Sequence, residues 1–441
     1  MNHVPQLPFE KPHALAAAPE LLDLRSRGSI HRVRTAVGDE AWLVTDYAQV
    51  RALLDDDRLG RAHPEPEKAA RTGHSALFGG PLGNIDTERA DHARMRGLLR
   101  PHFTPAHMRA LRPRVGELTT RLLDELEKQD QPADLHAAVA LPLPILVICA
   151  LLGVPYEDRD RFHAWTQAAA DTVDGTRSEQ GLAALFDYGL RLVARKRADP
   201  ADDVISRLCA TEGVPDTEIA SLTMALLFAG HETTVVQIGL GTAHLLADRT
   251  QWQTLLTQPE LIPGAVEELL RAPAKGGGGI PRYARTSLEI DGTTVQAGEL
   301  VLLDNGAANH DPTVFPEPAR TDVTRSAAQH LTFGHGARYC LGAPLARIEL
   351  REVFAQLIPR FPNMRLAVEP ERLRTRPNVL TGGLLELPVA WRGSGAVQAP
   401  APPLDSATEA YPRLPGHDAA MPSTIMSTAA RIVSADISRP R

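Results

Sequence analysis

The segment Phe333-Gly334-His335-Gly336-Ala337-Arg338-Tyr339-Cys340-Leu341-Gly342 carries one cysteine in a loop with three glycines, and an apolar helical pattern starts directly after it at Ala343-Pro344-Leu345-Ala346. A proline one residue into a helix uses a position where its missing N–H costs nothing. The free backbone N–H groups of that first turn, and the positive end of the helix dipole, then point at the cysteine and favour its thiolate. Thiolate is the form in which cysteine binds a metal. Glycines, lacking Cβ, let the backbone pass close to a flat, bulky group. A lone cysteine is more often a small buried hydrophobe, so the assignment depends on the glycine spacing and on three further segments.

The chain has 441 residues, 43% hydrophobic and 23% charged, with a formal net charge of −7. No linker-like stretch interrupts it between about residues 9 and 391, so one large domain is expected, with a core big enough to enclose a cofactor. The mild acidity, with no basic run and no basic-aromatic interleaving, argues against a nucleic-acid partner. The three cysteines, Cys149, Cys209 and Cys340, are odd in number and widely spaced, which excludes a disulfide framework and a zinc cluster and points to a reducing cytoplasm. The first residues show no basic start followed by an apolar run, so neither a signal peptide nor an anchor is expected. Residues 137–155 are free of charge over a length that could span a bilayer, but Pro142 and Pro144 interrupt them, so a buried helix is expected there.

Along the chain, β-forming stretches on either side of Gly38-Asp39 predict a hairpin, and helical spacing returns at Asp46. Residues 60–87, rich in Pro, Gly, His and Glu, predict a long loop, and long loops in compact domains are usually functional. His92 and Arg96 lie four apart on the next helix, a cationic pair that could hold a carboxylate or simply be a solvated basic face. Helical patterning continues from Arg109 to Cys209, and a longest helix is predicted from Asp216 to about Leu246. Its middle reads Ala229-Gly230-His231-Glu232-Thr233-Thr234, and a carboxylate inside an apolar helix needs a reason. A zincin motif fails because position 235 is valine, whereas a kink with the Thr233 hydroxyl bonded back to the Ala229 carbonyl stays open. Glu268 and Arg271 share a helix face, which alone is a weak signal. A run of four glycines at 276–279 precedes Arg282 and suggests a wide pocket wall or a flexible loop, and short strands are predicted at residues 288–290 and 299–303.

The pattern Phe-x-x-Gly-x-Arg-x-Cys-x-Gly, filled by Phe333, Gly336, Arg338, Cys340 and Gly342, resembles the haem-ligand loop of the cytochrome P-450 haem-thiolate monooxygenases. His92-x-x-x-Arg96, Ala229-Gly230-x-Glu232-Thr233 and Glu268-x-x-Arg271 resemble three further motifs of that family, in its order, and the wording is closest to soluble bacterial members that tailor natural products. The resemblance covers roughly residues 9–391. It implies a mainly α fold with a small β region, a haem domain over residues 1–392, and haem b with Cys340 as axial iron ligand. Residues 393–441, without periodicity, are expected to be a disordered extension. His92, Arg96, Arg282 and Arg338 would hold the propionates, and Phe333, Gly334 and Ala229 would line the haem. A local widening of the long helix would make room for dioxygen, Ala229 and Gly230 supplying the absence of bulk, while Glu232 and Thr233 would move protons. Arg320 would complete an ion network with Glu268 and Arg271. Leu82, Ala225, Ala229, Thr233, Gly278 and Leu380 are the pocket positions implied, their small size suggesting a sizeable, largely apolar substrate. Two electrons would come from a ferredoxin and its reductase, docking at Arg94, Arg100, Arg347 and Arg351 of a monomeric enzyme. Hydroxylation or epoxidation is the expected outcome, with oxidative coupling without oxygen insertion, or non-catalytic haem binding, as rivals.

Overall fold

The computed structural model describes residues 4–273 and 278–392, so Gly276, Gly277 and the expected 393–441 extension lie outside the described residues. Helices dominate, with a small sheet region set to one side. The longest helix, Asp216–Ala247, is apolar around its whole circumference, the signature of a helix enclosed by others. By length and composition it could cross a membrane, but most of it is buried inside the protein, against helices Pro142–Leu152, Gly175–Ala198 and Ala343–Arg360. The charge-free stretch forms a π-helical turn at His136–Ala140 and then a buried helix, Pro142–Leu152. Its prolines fall in the first turn, where no intrahelical donor is lost, so they start the helix rather than break it.

The main sheet has five strands in the order Ile30–Arg34, Glu40–Val44, Leu300–Leu303, Ile280–Ala284, Leu59–Gly60. The hairpin expected around Gly38 forms, with Arg34 opposite Glu40 and Gly38 at φ +92°, a conformation that favours glycine. Arg282 pairs in register with Val301, so a central strand fixes that arginine's position. Leu288–Ile290 and Thr293–Val295 form a second hairpin whose Asp291-Gly292 turn has positive φ at both residues, as a two-residue type I′ connection requires. The helical reading of residues 109–209 missed one strand, Ala133–Asp134, which pairs with Pro388–Ala390 near the end of the described chain. Two residues carry too little periodicity to be seen without their partner.

Candidate active site

Cys340 heads the helix Ala343–Arg360, and its backbone N–H donates to the Phe333 carbonyl at 2.8 Å. Burial raises the thiol above its ordinary pKa, while the N–H groups of Gly342 and Ala343 and the charges of Arg96 and Arg347 pull it down. Protein surrounds most of the sulfur, yet Cys340 keeps an open face; Cys149 is buried with its thiol pushed up to about 12, and Cys209 is half-buried. Of the three thiols, only Cys340 is both exposed and flanked by cations and backbone donors.

The loop glycines have separate reasons. Gly334 and Gly336 adopt φ of +73° and +65°, and a Cβ on Gly336 would lie 1.9 Å from the Asp55 carboxylate. Asp55 in turn accepts from the Ala337 N–H, so it clamps the loop from outside. Gly342 has an ordinary φ of −81°, and a Cβ there would meet the Cys340 sulfur at a normal 4.0 Å. The expectation that all three glycines clear space for a flat group is therefore corrected: two of them serve the turn. Phe333 packs beneath the Arg347 guanidinium, 4.6 Å from its ring centre. Arg347 is held by both carboxylate oxygens of Glu267 and by the Tyr339 hydroxyl. Burial would raise Glu267, but His330 and Arg347 bring its carboxyl down to about 2.

On the neighbouring helix Glu88–Leu99, His92 is buried and neither ring nitrogen has a partner. Burial, and then Arg338, Arg96 and Arg282, drive its pKa down to about 2. Four groups drawn from a helix, a strand and the cysteine loop thus converge, although Arg338 also pairs with Glu88 at 2.9 Å and Arg96 donates to the Tyr339 carbonyl. A buried imidazole with two orphaned nitrogens among three guanidiniums is costly by itself. A dianionic group beside Cys340 would remove that cost, and haem, with one thiolate ligand and two propionates, fits this donor set.

The long helix offers the other face. Ala229 and Thr233, one turn apart, are exposed, whereas His231, Glu232 and Thr234 are buried. The helix stays α-helical throughout, and the Thr233 hydroxyl donates to the Ala229 carbonyl at 3.0 Å, so the expected local widening is replaced by a regular turn with a side-chain back-bond. Gly230 does not face the open side: a Cβ there would come within 2.7 Å of Ile148, so its smallness serves close packing of two helices. Glu232 is fully buried, with one carboxylate oxygen 3.4 Å from both the Arg376 guanidinium and the Thr381 hydroxyl. Its other oxygen has no hydrogen-bond partner and lies 3.8 Å from His231 Nδ1. Of the remaining pocket positions, Leu82, Gly278 and Leu380 are half-buried, Gly278 facing open space at φ +125°, and Ala225 is buried.

Glu268 and Arg271 form a fully buried bidentate pair at 2.7 and 2.8 Å. The third member is Arg325, whose Nε lies 3.2 Å from Glu268, and not Arg320, which offers only its backbone carbonyl to Arg271 and pairs at the surface with Glu317. Nothing in the local pattern around Arg325 marks it, because the contact is made by a loop folding back. The expected docking patch is also revised. Arg94 is paired with Glu218, and Arg347 and Arg351 share Glu267, which leaves Arg100 as its exposed member with no ion pair to a described residue.

The family model for cytochrome P450 matches residues 194–382. The chain is 42% identical to pentalenolactone synthase of Streptomyces exfoliatus over 89% of its own length and all of that protein. It is 41% identical to the mycinamicin IV hydroxylase/epoxidase of Micromonospora griseorubida over 87% of this chain and 98% of that one. Among solved structures, the pimaricin epoxidase PimD superposes with a TM-score of 0.80 at 39% identity, covering 89% of this chain and all of PimD. A protein with an exposed cysteine flanked by backbone donors and guanidiniums, a cationic nest beside it and this likeness over nearly its whole described length is a haem-thiolate, oxygen-dependent monooxygenase, and the chain belongs to the cytochrome P450 family.

Proposed function

We propose that this cytochrome P450 hydroxylates or epoxidises a sizeable, largely apolar natural product within the cytoplasm. The observation that carries the reading is the exposure of Ala229 and Thr233, one turn apart in the middle of a mostly buried helix that packs against the helix Cys340 heads. Bound haem supplies an iron that activates dioxygen with two electrons, the Cys340 thiolate favouring O–O cleavage. In this reading His92, Arg96, Arg282 and Arg338 would neutralise the propionates, and Phe333, Gly334 and Ala229 would help hold the group. Thr233 presents a hydroxyl to the open side, and Glu232, one residue away and turned inward, supplies protons to it. The small side chains at Ala225, Ala229 and Gly278, with Leu82 and Leu380, leave room for a large ligand and give few polar groups to hold it. That relatives include a mycinamicin IV hydroxylase/epoxidase and a polyene macrolide epoxidase supports this class.

The haem domain runs over residues 1–392 and works as a monomer, with residues 393–441 as an extension. Electrons come from a ferredoxin and its reductase, the donor meeting the face that carries Arg100. Turnover with NADPH, reductase, ferredoxin and labelled dioxygen tests the reading. One labelled oxygen in the product is expected; an unlabelled dimer or cross-link would show oxidative coupling instead.

A further inference from the structure

Glu232 is fully enclosed, and a carboxylate that hands on protons must be refilled from solvent. Besides the half-buried Thr381 hydroxyl, which sits 3.4 Å from the oxygen that Arg376 also holds, two routes lead away from it. One passes Arg376, whose guanidinium keeps its proton at any working pH and cannot relay one. The other runs through two imidazoles. His231 is the preceding residue, 1% exposed, with Nδ1 3.8 Å from the unpartnered Glu232 oxygen. His163, on the helix Arg159–Ala169, lies edge-on to His231 with ring centres 5.5 Å apart and is half-buried. One ligand-capable atom from each of His163, His231 and Glu232 falls within 4.8 Å of the others. Among the described residues, His163 Nδ1 and His231 Nε2 are both buried without a hydrogen-bond partner, so neither is committed to another group.

We propose that His163 is the proton inlet of the active site, passing protons through His231 to Glu232. This rests on the reading of Glu232 as the proton donor to the Thr233 side. Each imidazole accepts a proton on one nitrogen and releases the proton held on the other, so both end neutral and one proton moves from water to the carboxylate. Transfer across the 3.8 Å to Glu232 requires the carboxylate to turn towards the ring. Both rings are held neutral between transfers, with pKa values lowered to about 4, chiefly by burial. The charged and titratable neighbours are Glu232 on the long helix, Arg376 on the C-terminal loop and His136, with Asp134 behind it, on the π-turn. A divalent cation is a poorer occupant, since Arg376 already balances the single carboxylate. Gln167 donates its amide N–H to His163 Nε2 at 2.7 Å, which places the neutral ring's proton on the buried Nδ1, and Nε2 takes a proton from water when that amide turns away.

The test uses the haem-loaded protein as its diamagnetic ferrous carbon monoxide adduct, with nitrogen-15 histidine labelling. The His231 ring N–H should exchange with water fast for a group so deeply buried, and both His163→Phe and His163→Gln should slow it by about tenfold or more, while turnover falls by about tenfold. Glutamine keeps a hydrogen bond but cannot carry a proton, so recovery of exchange and rate in His163→Gln would make His163 a structural residue and overturn the proposal. Unchanged exchange in both variants would do the same. If Glu232→Gln slows turnover while neither His163 variant does, the inlet lies elsewhere and the role of Glu232 stands. If Glu232→Gln has no effect, the underlying proton-donor reading fails instead. An unaltered haem spectrum and substrate affinity in the variants show that they fold.

Discussion

Cys340 and Thr233 are the two side chains whose individual chemistry is most exposed to test. Burial raises all three thiols, but only Cys340 is exposed and has backbone N–H donors together with two guanidiniums opposing the rise. Cys340→His should abolish the red-shifted carbon monoxide band that thiolate ligation produces, and Cys149→Ala and Cys209→Ala should keep it. Loss of the band in either alanine variant, with Cys340→His normal, would show a misassigned ligand. At Thr233 the hydroxyl already donates to a carbonyl, so its proton is committed and its lone pairs remain available on the open side. Thr233→Ala should retain haem and substrate binding while product per NADPH drops and hydrogen peroxide rises. Glu232→Gln should slow turnover by about 10²-fold, the low end for lost acid catalysis. Full rate and full coupling in Thr233→Ala would move the proton role to another hydroxyl.

The elements are braced by a few buried ion pairs at their ends. Glu268 binds Arg271 within the helix Ile262–Arg271, accepts from the Asp322 N–H, and is reached by Arg325. Arg271 also donates to the Asn309 and Pro318 carbonyls, so a single guanidinium ties a helix to the loop leading towards Cys340. Removing the carboxylate leaves a buried guanidinium uncompensated, and Glu268→Ala should destabilise the fold by about 3–5 kcal/mol. Arg325→Ala should lower the unfolding midpoint clearly, while Arg320→Ala at the surface should fall within about 0.5 kcal/mol of the parent. Equal effects from the two arginine variants would restore the network expected from sequence.

At the scale of the whole molecule, acid should unfold this protein early. His231, His244 and His310 are buried, and burial chiefly lowers their pKa values to about 4, 3 and 4. The unfolded chain takes up protons at these residues below about pH 6.5, so their contribution is present above that value and lost as pH falls towards 4. At pH 5 the linkage arithmetic puts the loss at about 2 kcal/mol for each histidine. Glu349 works in the opposite sense, since burial raises its carboxyl well above the ordinary value, but it stands against these three and further depressed histidines such as His92 and His163. The urea midpoint should therefore fall between pH 7 and pH 5, and a midpoint unchanged or higher at pH 5 would refute the balance.

Sequence alone determined the parts that depend on local periodicity and composition. The helix Asp216–Ala247 was legible within a residue because a long, mostly apolar stretch without proline has one low-energy solution, and the Gly38 hairpin because its turn needs positive φ. The Cys340 loop was legible because a thiol, its glycines and a helix start occupy consecutive positions. Tertiary structure decided what lies between distant segments. It chose Arg325 over Arg320, tied Arg94 and Arg347 into ion pairs, and turned Gly230 towards Ile148. It also brought His163 to His231 and Arg376 to Glu232. Those partners are 68 and 144 residues apart in the chain, and no local pattern encodes them. Their pairing follows from the cost of leaving a buried polar group alone, which only the packed fold can assign to a particular neighbour.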